Sequence, residues 1–196
     1  NISFASTDAF PFQIIFNVTD KNSNGKEKIF NVTKKTGGNI TVLTGKQLGG
    51  ADNTTIGSFF NIANGTVMTT TQSNAAQATV DLIFTYSSTN GNLMSAPNDA
   101  TIDQAFSNVT AWTTKNATKF TAVLTSLNFD NVTTDADIVS NVTTSTASNT
   151  RINSLAINNV FGFITAAGKK GIIKITAIGG TVAADRSITF SVKVQP

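Results

Sequence analysis

The chain of 196 residues contains no cysteine and no histidine. Without cysteine there is no disulfide framework, no thiolate nucleophile and no lipid-anchoring thiol. Without histidine there is no Ser-His-Asp or Cys-His arrangement, and no zinc site of the usual nitrogen and sulfur ligands. Glu27 is the only glutamate, and charged residues make up 13% of the chain, against about 25% in an ordinary globular domain. Thr, Asn and Ser take their place, so solubility rests on neutral polar groups. One Trp and one Tyr leave few aromatic platforms for a sugar ring, while the fourteen Phe carry no polar handle and read as core. No apolar run approaches the roughly 18 residues of a membrane helix. The amino terminus lacks the basic-then-apolar pattern of a signal peptide, so an exported protein would be in a mature or trimmed form.

What is present is β structure. A hydrophobic fraction of 40% argues against disorder, and the length suits one large or two small domains. Net charge is +3, but the basic residues are scattered, with adjacent pairs at Lys34-Lys35 and Lys169-Lys170. A nucleic-acid footprint would cluster them on one face, so no nucleic-acid partner is expected.

The clearest strand is near the carboxyl end, where Ile188, Phe190, Val192 and Val194 alternate with polar residues. Gly171 to Ile178 reads as an interior strand beside it, and a third strand-like run opens at Val160, ahead of the break at Ala167 to Gly171. At the other end, Phe10, Phe12, Ile14, Phe16 and Val18 fall on one face of a strand that needs a covering partner. Lys28 to Lys34 reads as its hairpin mate across a connection rich in turn formers. Residues 36–52 read as a glycine-rich linker holding a short strand from Ile40 to Leu43. Asn64-Gly65 between Ser58–Ala63 and Thr66–Thr71 predicts a second hairpin. Ala78 to Tyr86 alternates as a central strand. Thr101-x-x-Gln104 has the pattern of a capping box and predicts a helix over 101–109, and a second short helix is expected near Asp135 to Asn141.

The expectation is a mainly β protein, an antiparallel β-sandwich or curled sheet with one or two short helices inserted. Residues 1–36 form an amino-terminal hairpin and residues 37–196 a main β-rich domain.

Candidate chemistry is sparse. Asp20, Asn22, Asn24 and Gly25 match the first half of a calcium loop, but the twelfth position is Asn31 instead of the bidentate Glu, so a plain turn competes with a calcium site. Asp130, Asp135 and Asp137 form a second candidate calcium cluster. No organic cofactor is implied. Asp99 and Asp103 are close enough in sequence to suggest a glycosidase pair, with helix capping as the plainer reading. Ser23-x-x-Lys26 lies in a predicted turn, where serine-lysine chemistry lacks its helix. Trp112 and Tyr86 are the candidate glycan platforms, with core burial as the alternative. Asn-x-Ser/Thr sequons begin at Asn1, Asn17, Asn31, Asn39, Asn53, Asn64, Asn108, Asn116, Asn131 and Asn141. A chain so rich in Asn and Thr generates them by chance, whereas a glycosylating source would make this a decorated surface protein.

The ordered combination of FQIIFNVTDKNSNGKEKIFNV, GSFFNIANGTVMTTTQSNAAQATVDLIFTY, AWTTKNATKF and VFGFITAAGKKGIIKITAI resembles a group of secreted or surface-anchored proteins of Bacteroidetes bacteria. In that group the end of an Ig-like or PKD-like sandwich is followed by a β-rich module closing in a GKYGLIKV-type hairpin. The resemblance spans nearly the whole chain and implies an extracellular or cell-surface location and an adhesion-related role, with no catalytic residue among its motifs.

If residues 10–35 correspond to the last two strands of the Ig-like sandwich, its earlier strands are missing. A lone hairpin with that aromatic face would be marginal and sticky. It packs either on its own main domain or in a neighbouring subunit, the second being donor-strand complementation through Phe10, Phe12, Ile14, Phe16 and Val18. Head-to-tail repetition would build a filament. The expected function is therefore a non-enzymatic extracellular structural or adhesion protein that self-associates or meets a cell-surface or glycan partner. A carbohydrate-binding surface module is the alternative, and no membrane span is expected.

Overall fold

The computed structural model describes residues 12–19, 21, 25–32 and 37–196, with backbone alone at 12, 13, 17, 31 and 32. Phe10, Asp20, Asn22, Asn24, Ser23, Lys34, Lys35 and Asn1 lie outside the described residues, as do the side chains of Phe12, Asn17 and Asn31. The chain divides into two compact units, residues 1–36 and 37–196.

In the first unit, β1 (Phe12–Thr19) pairs with β2 (Gly25–Val32) as an antiparallel hairpin running from Phe12↔Val32 to Thr19↔Gly25. Pairing thus begins earlier than the expected Lys28, and Gly25, the sixth position of the candidate calcium loop, is the first residue of a strand.

The second unit contains β3 (Thr41–Gly49), β4 (Phe59–Asn61), β5 (Thr66–Met68), α1 (Thr70–Ala75), β6 (Leu82–Ser87), β7 (Gly91–Ser95) and β8 (Lys119–Val123). After these come α2 (Asp135–Asn141), β9 (Arg151–Ile152), β10 (Val160–Ile164), β11 (Lys170–Gly179) and β12 (Ser187–Val194). They build two five-stranded antiparallel sheets, ordered β3-β12-β11-β10-β8 and β5-β4-β6-β7-β9. The fold is therefore mainly β: three antiparallel sheets and two short helices among the described residues.

Alternation explains why these sheets face each other. Ile188, Phe190, Val192 and Val194 of β12 point to one face and are buried with Leu82 and Phe84 of β6, Met94 of β7 and Phe161 and Phe163 of β10. Phe60 of one sheet meets Phe190 of the other edge to face, with ring centroids 5.1 Å apart. Each sheet also buries part of its outer face. Phe59, Val80 and Ile83 lie with Phe106, Val109 and Trp112 beneath two 3₁₀ turns, Ile102–Gln104 and Ser107–Ala111. Ile172 and Val160 lie beneath α2 and the 3₁₀ turn Phe129–Asn131, with Phe129, Ile138 and Val142. This double burial explains why Phe59-Phe60 and Ile172-Ile173 are apolar on consecutive positions.

Four expectations need correction. Residues 36–52 are not a linker, because Thr41–Gly49 is an edge strand of nine residues pairing with β12. Its glycines mislead: Gly45, at φ +61°, sits where the register shifts by a bulge. The strand expected over Thr66–Thr71 stops at Met68, since Thr69 and Gln72 form a capping box that starts α1. The strand expected from Ala78 begins only at Leu82, after a 3₁₀ turn over Gln77–Thr79. The helix expected over 101–109 is two separate 3₁₀ turns without a side-chain cap. The helix Asp135–Asn141 forms as expected, capped by Thr134 and Asp137, and the Asn64-Gly65 hairpin forms with Gly65 at φ +71°.

Candidate functional site

The hairpin register decides which side chains share a face. Ile14 stands opposite Phe30, Phe16 opposite Lys28, and Val18 opposite Lys26, while Ile15 stands opposite Ile29 on the other face. The Phe16 and Phe30 rings meet edge-on with centroids 5.7 Å apart. Both are 49% exposed, and Val18 is 68% exposed. The Lys28 ammonium stands 5.9 Å from the Phe30 ring. The face is thus apolar in its middle and cationic toward the turn. In the two-stranded sheet each strand keeps one edge whose amide and carbonyl groups pair with no other described strand. Such an edge accepts a further strand, and an apolar face of this kind gains free energy when covered.

The three described calcium candidates, Asp130, Asp135 and Asp137, do not converge. The Asp130 carboxylate takes the Lys174 ammonium at 3.1 Å. Asp135 accepts the Gly38 N–H. Asp137 accepts the N–H groups of Thr133 and Thr134 at 2.9 and 2.8 Å, which hold its pKa below the usual aspartate value. Among the described residues no three acidic, histidine or cysteine side chains gather around one point. The backbone oxygens beside Asp130 already have a cation: Lys193 Nζ donates to the carbonyls of Phe129 and Val132 at 2.9 and 2.8 Å and stands 4.7 Å from the Phe129 ring. Burial lowers the pKa of this lysine.

The two glycan candidates differ in burial. Trp112 is buried against Phe59, and its indole N–H donates to Asn74 Oδ1 at 2.8 Å. Tyr86 is partly exposed near the end of β6, and the Arg186 guanidinium lies 4.2 Å from its ring centroid.

Asp99 and Asp103 have different surroundings. Asp99 is buried and accepts the hydroxyls of Thr150 at 2.6 Å and Thr101 at 2.7 Å, with Arg151 at 3.8 Å. Burial alone would raise its pKa, but these hydrogen bonds and the guanidinium outweigh it and the net shift is downward. Asp103 lies in the 3₁₀ turn Ile102–Gln104. Several sequon asparagines use the very nitrogen that would carry a glycan. Asn116 Nδ2 donates to the carbonyls of Ala78 and Val80, Asn108 Nδ2 to Asn74, and Asn53 Nδ2 to Arg186.

Among the described residues no helix is long and apolar enough to cross a membrane. No protein-family model matches the sequence, and no curated protein matches it. Among solved structures, the chain is similar to the crystal structure of a DUF4466 family protein from Parabacteroides merdae, with a TM-score of 0.56 and 16% sequence identity. The match covers 93% of this chain and 61% of that one, so the chain spans about three fifths of the length of the protein it resembles. At that identity the likeness is one of fold, and it places the chain beside a β-rich protein of a Bacteroidetes bacterium.

Proposed function

We propose that this is a non-enzymatic structural or adhesion protein of a cell surface, and that it self-associates through its amino-terminal hairpin. The observation that carries the reading is the hairpin itself, whose aromatic face is half exposed and whose edges pair with no other described strand. An isolated two-stranded hairpin is marginal in water, so a covering partner accounts for both the face and the edges. In its sharper form the partner is a second copy that takes the hairpin into its own sheet. A head-to-tail contact of that sort does not close and propagates into a filament. The absence of His and Cys and the engagement of Asp99, Asp135 and Asp137 in backbone or hydroxyl contacts support a role without turnover.

Light scattering on the full chain, followed by electron microscopy, tests the reading. The expected result is concentration-dependent growth into oligomers or filaments. Phe16→Asp with Phe30→Asp should abolish it without lowering the helix and strand content of residues 37–196. A chain that stays monomeric at high concentration would sink the self-association reading.

A second reading, a carbohydrate-binding surface module, is favoured by a cleft within residues 37–196 that is rich in hydroxyl and amide groups.

A further inference from the structure

β6 and β7 pair with Thr85 opposite Leu93 and Ile83 opposite Ser95. These four share the outer face of their sheet, the face that the 3₁₀ turn Ile102–Gln104 partly covers. Where Ile83 runs on into the apolar cluster, Thr85 and Ser95 instead floor a cleft of about 330 Å³. Ile102 and Gln104 form one wall, and Ala51 and Asp52 line it as well. That volume is at the lower end of the roughly 300–1,000 Å³ typical of small-molecule sites.

Some polar groups of this cleft are engaged, the Thr101 hydroxyl with Asp99 and Arg151 and the Ser87 hydroxyl with the Asn90 N–H, but one is not. Ser95 is 1% exposed, and its hydroxyl has no hydrogen-bond partner among the described residues. Buried hydroxyls without a partner are uncommon in folded interiors. Leu93 and Ile102 add apolar surface between the polar groups. Among the described lining residues Asp52 alone is charged; the guanidiniums of Arg151 and Arg186 stand outside the lining, the first on the Thr101 hydroxyl and the second over the Tyr86 ring. Hydroxyls, the amides of Asn90 and Gln104 and a carboxylate, interleaved with aliphatic surface and the Tyr86 ring, match a ligand that is neutral, rich in hydroxyls and apolar on its C–H faces.

We propose that this cleft binds a neutral sugar residue, with Thr85, Ser95 and Gln104 pairing its hydroxyls and Leu93 and Ile102 meeting its C–H face. The proposal rests on the carbohydrate-binding reading and is independent of self-association.

Calorimetry and saturation-transfer NMR on the full chain, with glucose, galactose, mannose and N-acetylglucosamine as separate probes, test it. Saturable binding of at least one of them is expected, with Kd on the order of 1 mM for so few contacts. Glucose 6-phosphate should not bind. Thr85→Val and Gln104→Ala should each weaken the neutral sugar about five-fold, the worth of one hydrogen bond, at an unchanged melting temperature. Ala105→Trp, at an exposed lining position, should block the site. Failure of every neutral sugar to saturate, or binding of glucose 6-phosphate as tightly as glucose, overturns the proposal. Binding that survives the double variant Thr85→Val/Gln104→Ala also overturns it, while leaving the carbohydrate reading standing at another surface. Light scattering on the same samples keeps any effect of self-association separate.

Discussion

Asp81 is a carboxylate placed where a neutral group would do. Its Oδ2 accepts the Ile62 N–H at 2.8 Å, yet burial raises its pKa above the ordinary aspartate value. A raised carboxylate pKa means that ionisation costs the folded state more than the unfolded one, so stability falls as pH rises through the shifted value. Asp81→Asn keeps an acceptor for Ile62 and removes the charge. It should raise the melting temperature at pH 7, and the gain over wild type should close as pH falls below 3.8, where Asp81 is protonated in both states. Thermal melts of the two proteins across that range check both parts. Single residues also mark where pattern reading stops. Thr69-x-x-Gln72 and Thr101-x-x-Gln104 are the same motif, and only the first caps a helix. The Thr101 hydroxyl is held by Asp99 at 2.7 Å and Arg151 at 2.6 Å, partners distant or invisible in a four-residue window.

Strands whose two faces differ were legible. β12 alternates cleanly because one face meets the opposing sheet, and its pairing with β11 follows from the turn signals between them. β3 was legible only in its first residues, up to Leu43, since a bulged edge strand carries its glycines inside the element. The sugar cleft was hidden for a related reason: Thr85 and Ser95 occupy positions that alternation assigns to solvent, and only a turn folded over them makes a cavity. At this scale β12 also secures a loop. Lys193, on the half-buried side of the strand, holds the turn around residues 129–132 through three carbonyl oxygens, those of Phe129, Asp130 and Val132. Lys193→Met keeps the aliphatic stem and removes the donors. It should destabilise the protein by about 1–3 kcal/mol in urea unfolding, the cost of leaving partly buried carbonyls short of a charged partner. Hydrogen exchange should localise the loss of protection to residues 129–132.

Across residues 37–196, stability comes from one apolar layer shared by both sheets, with no disulfide to assist it. Phe190 is fully buried in that layer and reaches across to Phe60. Phe190→Ala should therefore cost about 3–5 kcal/mol. Its effect should appear as a lower urea midpoint for both sheets together, read by exchange protection in β6 and in β11.

The Lys193 contact has a further consequence for how the molecule holds its surface loops. A loop closed by a dissolved ion depends on the medium, and dialysis or a chelator can empty it. Here the closing cation is tethered by its own backbone to a position 64 residues along the chain from Phe129. β12 thus helps to hold the turn after β8, beside the burial of Phe129 and Val132 against Ile172, which ties a surface loop to the sheet instead of to the ionic composition outside it.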